Sequence, residues 1–210
     1  MKRLFPFVVP FLALCCSSAA FADMSSFPLR ASGLGTIPGF AGTVPFVASG
    51  FSTEVDFAVW APGDYPFSTA GITPLAGTFD PGAFVYAYQI HNSDSSTFGI
   101  TALGIDSAGG VMAGIAYDLL VDTAMDDIAP SGGVLLPAFS AEYEFGAVPP
   151  DGFSSVLLLS SPDGPAFAAA TVIDGGVDAD GQLPSPVPAP GAAMLGLIGC
   201  GILACFKRRV

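Results

Sequence analysis

Glycine and proline interrupt this chain so often that no amphipathic helix can run through its middle. There are 26 glycines and 19 prolines in 210 residues, and between them no sustained 3.6-residue apolar stripe survives. What survives is a series of short β-branched and aromatic runs with turn signals between them. The clearest spans Ala83 to Asn92. It puts Phe84, Tyr86, Tyr88 and Ile90 on one face and Val85, Ala87, Gln89 and His91 on the other, with so little charge that a central strand is expected. Glu54 to Ala61 alternates in the same way, with Val55, Phe57 and Val59 opposite Asp56, Ala58 and Trp60, before Ala61-Pro-Gly-Asp64 breaks it.

Further strands are expected over Thr43 to Ser49, Thr97 to Ile105, Val111 to Tyr117, Gly133 to Phe139, Ala141 to Phe145, Phe153 to Ser161 and Phe167 to Ile173. Asn92-Ser-Asp-Ser-Ser96 reads as a turn, which would make Thr97 to Ile105 the hairpin partner of the Ala83 strand. Around Leu119, Leu120, Ala124 and Met125 the pattern allows a short helical turn. The fold class is therefore mainly β, an antiparallel β-sandwich of about eight or nine strands, its edges protected by proline and acidic residues.

The two ends are of another kind. Lys2 and Arg3 precede the apolar stretch Leu4 to Cys16, and Ala20-Phe-Ala22 offers a small-residue cleavage site, so residues 1–22 read as a secretory signal peptide. At the other end stands a proline-rich spacer, 185–191, in which Pro186, Pro188 and Pro190 each fix φ and hold the chain extended. The uncharged run 192–206 follows, then the basic stop 207–210 with Lys207, Arg208 and Arg209. Fifteen helical residues cover about 22 Å, so spanning a ~30 Å hydrocarbon core needs help from the spacer and snorkelling basic side chains. The run is apolar on all faces, as a transmembrane helix is, and its basic end would stay in the cytoplasm. That leaves 23–184 as the exported domain.

This ordered tail resembles the PEP-CTERM sorting signal handled by exosortase systems. Pro188, Ala189, Pro190 and Gly191 occupy the place of the family's Pro-Glu-Pro, with alanine where the family has glutamate. The resemblance implies an exosortase-type processing enzyme as partner. It also implies passage through the inner membrane, transient anchoring there through the C-terminal helix, and delivery to the cell envelope or extracellular matrix. Val55 to Gly63, Phe84 to Asn92 and Phe153 to Pro162 also resemble the recurring body of PEP-CTERM proteins of unassigned function, which implies a β-rich domain and no catalytic residue.

Charge narrows the function classes. Only Arg30, of six basic residues, lies between the two end segments, whereas all 18 acidic residues lie there; 1 − 18 leaves the body at −17. A single arginine against 18 acidic residues could not neutralise nucleic-acid phosphates, and the body has no lysine for a phosphate-binding loop. Cys15, Cys16, Cys200 and Cys205 all fall in the end segments, so an exported body would hold together without disulfides.

Candidate chemistry is sparse. His91, the only histidine, could pair with Ser93 and Asp94, but an ordinary strand-end histidine accounts for it. Glu142 and Glu144 share a strand face, as a glycosidase pair or as a solvated edge. Asp174, Asp178 and Asp180, set among glycines, have the spacing of a calcium loop without the full EF-hand pattern, or of an acidic linker; Asp122, Asp126 and Asp127 form a weaker cluster. Beyond calcium no cofactor is expected. Two functions follow: a non-enzymatic surface or matrix protein, or a carbohydrate- or polymer-binding module that would hold exopolysaccharide on Trp60, Tyr65 and Tyr86 if these are exposed.

Overall fold

The computed structural model describes residues 35–119, 127–137 and 139–188. The expected signal peptide with Ala20 and Ala22, the expected helical turn around Leu119, Leu120, Ala124 and Met125 (all but Leu119), the apolar run and the basic stop lie outside the described residues. The described residues form eleven strands: β1 Thr36–Ala48, β2 Phe51–Trp60, β3 Ile72–Gly77, β4 Phe84–Asn92, β5 Ile100–Asp106, β6 Gly114–Asp118, β7 Gly132–Leu136, β8 Ser140–Val148, β9 Val156–Ser161, β10 Pro165–Ile173 and β11 Asp178–Pro186. They make two sheets, ordered β1-β2-β4-β9-β6-β3 and β11-β10-β5-β8-β7, with every neighbouring pair antiparallel.

β4 is the internal strand its alternation predicts, paired with β2 on one side and β9 on the other. Tyr86, Tyr88 and Ile90 point into the core between the sheets, where they meet Val55, Phe57, Leu103, Ile105, Tyr143, Leu157 and Val172. The other face of β4 is also buried. The segment after β2 folds back over it, and Tyr65 and Phe67 set their rings edge-to-face on Trp60 at 5.4 and 5.9 Å. A second apolar layer results, containing Ala58, Val85, Ala87, Ala116, Val156 and Leu158.

The hairpin expected between the Ala83 strand and Thr97 to Ile105 does not form. β5 crosses to the second sheet and lies between β10 and β8. Asn92 fixes the crossing: its buried side-chain amide donates to the carbonyls of Phe98 and Val148, each at 2.9 Å. Two strands stand beyond the expected set, β3 and β11. Asp174 to Asp180 is thus no linker, and the ladder runs through Ser185 and Pro186, two residues into the expected spacer.

Proline explains the edges. Pro38 and Pro45 in β1, Pro74 in β3, and Pro184 and Pro186 in β11 all fall on outermost strands, where a missing N–H breaks no ladder. Pro165 is the first residue of β10. The edges then meet across the sandwich, β1 beside β11 and β3 beside β7. Close approach there requires glycine: a Cβ on Gly181 would stand 2.6 Å from the Phe46 ring, and one on Gly77, at φ +69, would stand 2.6 Å from Leu135.

Buried hydroxyls join the layers. Tyr143 in β8 donates to the Leu158 carbonyl in β9 at 2.7 Å. Tyr86 reaches the Asp163 carbonyl at 2.8 Å. Where the chain leaves the body, Pro184 accepts from Tyr88, Ser185 donates to the Asp106 carbonyl at 2.6 Å, Pro186 accepts from the Gly110 amide at 3.2 Å and Val187 donates to the Gly164 carbonyl at 2.9 Å.

Candidate functional site

The β10–β11 turn holds the best candidate. Its sequence, Asp174-Gly-Gly-Val177, lets the chain reverse with Gly175 at φ +86, and the Asp174 carboxylate closes the turn. Oδ1 accepts from the amides of Gly176 at 3.2 Å and Val177 at 2.8 Å, the local bonding by which aspartate favours turns. Oδ2 is buried and has no hydrogen-bond partner. Beside it lies a pocket of about 160 Å³ lined by Phe98, Asp174, Gly175, Gly176 and Val177. Drug-sized ligand sites run to about 300–1,000 Å³, so this one suits waters or a single small group.

The three aspartates expected to share calcium are not brought together. Asp174 is tucked into the turn. Asp178 and Asp180 stand exposed on the outer face of the second sheet, opposite Ile173 and Thr171, and Asp180 accepts from the Thr171 hydroxyl at 2.9 Å. Among the described residues no three carboxylate, histidine or cysteine side chains are grouped to hold a metal ion. Asp122 and Asp126 of the second cluster lie outside the described residues.

His91 packs. Its ring stacks on Phe153 at 4.2 Å with 6° between planes, and Nε2 is buried without a hydrogen-bond partner. Ser93 and Asp94 are occupied in the following turn, where the Ser93 hydroxyl contacts Ser95 Oγ at 2.9 Å and Asp94 Oδ1 at 3.3 Å. Glu142 and Glu144 do share a face, the outer one of the second sheet, while Tyr143 and Phe145 fill the core behind them.

The aromatics considered for stacking on sugars are committed elsewhere. Trp60 and Tyr86 are fully buried. Tyr65 is part-buried against Trp60, and its hydroxyl donates to Asp118 at 3.4 Å. Burial, then the nearby Asp118 charge, pushes the Tyr65 phenol well above its ordinary range. Among the described residues the most exposed aromatics are Phe98, Phe139 and Phe167. Nothing in their neighbours sets them apart from core phenylalanines: each sits beside serine, threonine or alanine, as Phe57 does beside Ala58.

Of the sorting residues, Pro188 is exposed at the end of the described chain; Ala189, Pro190, Gly191, Lys207, Arg208 and Arg209 lie outside the described residues. Compared with known proteins, the chain matches no family model, no curated protein and no solved structure.

Proposed function

We propose that this is a non-enzymatic cell-envelope or matrix protein. In this reading it is exported by residues 1–22, held in the inner membrane by 192–206 and processed by an exosortase-type enzyme near Pro188 to Gly191. The observation that carries the structural role is what the large aromatics do. Trp60, Tyr86, Tyr88 and Tyr143 are all fully buried, and the tyrosine hydroxyls tie the two sheets and the Asp163 loop together. A body with no cysteine is thereby made rigid from within, and its −17 charge keeps it dispersed. The polymer-binding reading would need Trp60 and Tyr86 at the surface, so it is the weaker of the two.

The test compares the full chain with a variant carrying Lys207, Arg208 and Arg209 changed to alanine, in a host with an exosortase system. The unaltered chain is expected in the membrane first and then, shortened, in the envelope or medium; the variant should accumulate unprocessed or mislocalised. Identical location and size for both would overturn the sorting role.

A further inference from the structure

The chain leaves the sandwich at the end where three large apolar side chains stand in solvent. Val111, Leu136 and Phe139 are 45%, 54% and 73% exposed. Val111 and Phe139 belong to two loops that touch each other and the exit, and Leu136 ends β7 beside Phe139. The Ser107 amide donates to the Phe139 carbonyl at 2.7 Å, Gly110 donates to Pro186, and Val111 donates to Asp163 Oδ2 at 2.9 Å. Pro188 lies against the same loop: a Cβ on Gly109 would stand 3.6 Å from its ring. Val111 and Phe139, with Leu136 bonded to the latter's amide, therefore lie at the end where the tail is rooted.

The tether is short. Between Pro188 and the first residue of the apolar run, Ala192, stand Ala189, Pro190 and Gly191. Four extended steps at ~3.1 Å cover about 12 Å. A headgroup layer takes up roughly 5–8 Å of that on each side of a ~30 Å core. The fifteen-residue run is itself about 8 Å too short for that core, which draws the spacer further in. The end of the sandwich is left at headgroup level, with its apolar side chains facing the lipid.

We propose that Val111, Leu136 and Phe139 form a docking surface that rests on the bilayer from which the tail emerges. The inference depends on the tail spanning the membrane, as proposed above. Asp80, Asp106 and Asp163 lie at the same end, so the surface fits zwitterionic lipid better than anionic lipid. The docked body stands with β11 pointing away from the membrane. Its turn at Asp174 lies about 30 Å out, nine strand residues from the exit; Phe98 lines the pocket there and packs at Gly50, in the β1–β2 turn that Val47 precedes.

The full chain is reconstituted into phosphatidylcholine vesicles with brominated acyl chains, with tryptophan placed by Phe139→Trp, Val111→Trp or Val47→Trp; buried Trp60 is common to all. Flotation with the vesicles after an alkaline wash reports the anchor separately. The proposal expects Phe139→Trp and Val111→Trp to lose much of their added emission while Val47→Trp keeps it, with the loss reduced in vesicles rich in anionic lipid. Flotation without a difference between the two ends overturns the docking surface and leaves the anchor standing. Failure to float overturns the anchor and the docking with it. Shielding of the indole in Phe139→Trp that grows with protein density, alongside cross-links between copies, would assign the patch to a second copy and overturn the lipid assignment.

Discussion

The Tyr88 hydroxyl, at the centre of the first sheet, donates a 2.5 Å hydrogen bond to the carbonyl of Pro184 on the edge strand of the second. Both groups are buried, so each depends on the other for a partner. Tyr88→Phe should cost about 0.5–1.5 kcal/mol, or up to ~3 kcal/mol if the Pro184 carbonyl is left stranded. Tyr88→Ala adds a cavity and should cost on the order of 3–5 kcal/mol. Equilibrium denaturation of the two variants checks the order; a Tyr88→Phe protein as stable as the parent would mean the hydroxyl bond adds nothing.

Alkaline pH should unfold the body cooperatively. Burial raises the phenols of Tyr88 and Tyr143 well above the ordinary value of 10, with Tyr143 and Tyr86 adding to the shift at Tyr88. Burial and then Asp163 raise Tyr86 likewise. A folded-state pKa above the unfolded one gives stability that is complete below pH ~10 and lost as pH climbs beyond it. Tyrosinate absorbance should therefore rise together with loss of the circular dichroism signal. Complete ionisation of a still-folded protein would contradict this burial.

The seam between β1 and β11 leaves no room at Gly181. Gly181→Ala should destabilise by about 1–3 kcal/mol through contact with the Phe46 ring. Phe46→Leu in the same chain should recover part of the loss. Gly176→Ala, where an added Cβ meets nothing within 4 Å, should stay within about 0.5 kcal/mol of the parent. Thermal melts of these variants distinguish a packed seam from a loose one.

Salt should stabilise the body without regard to the identity of the cation. A charge of −17, by 1 − 18, repels itself less as ionic strength rises. Because Asp174, Asp178 and Asp180 point to different surroundings, Ca²⁺, Mg²⁺ and chelator at constant ionic strength should give the same melting temperature. A calcium-specific rise that disappears in Asp178→Asn with Asp180→Asn would restore the shared site.

The strands with clean alternation were legible because burial on one face writes itself into every second residue, as in Phe84, Tyr86, Tyr88 and Ile90. β11 was hidden because Asp178-Ala-Asp-Gly-Gln-Leu-Pro-Ser-Pro186 carries few β-formers and is held by its pairing with β10, which is tertiary context. β3 was obscured by Pro74, which an edge tolerates. The destination of β5 was illegible for a different reason: alternation says which face is buried, never which sheet the strand joins. At the candidate site, the aspartate spacing was visible, but whether a carboxylate closes its own turn or waits for a metal depends on local bonding that spacing does not contain.

The last strand residues have a mechanical consequence. If the chain is held by its tail as proposed, every pull is felt at Pro188, and an edge strand loaded at its end would unzip one bond at a time. Here four successive residues, Pro184 to Val187, are fastened to four separate segments: the middle of β4, the end of β5, the loop at Gly110 and the loop at Gly164. Force entering at the tail is shared among them at once, so β11 cannot be peeled from β10 until all four give way together.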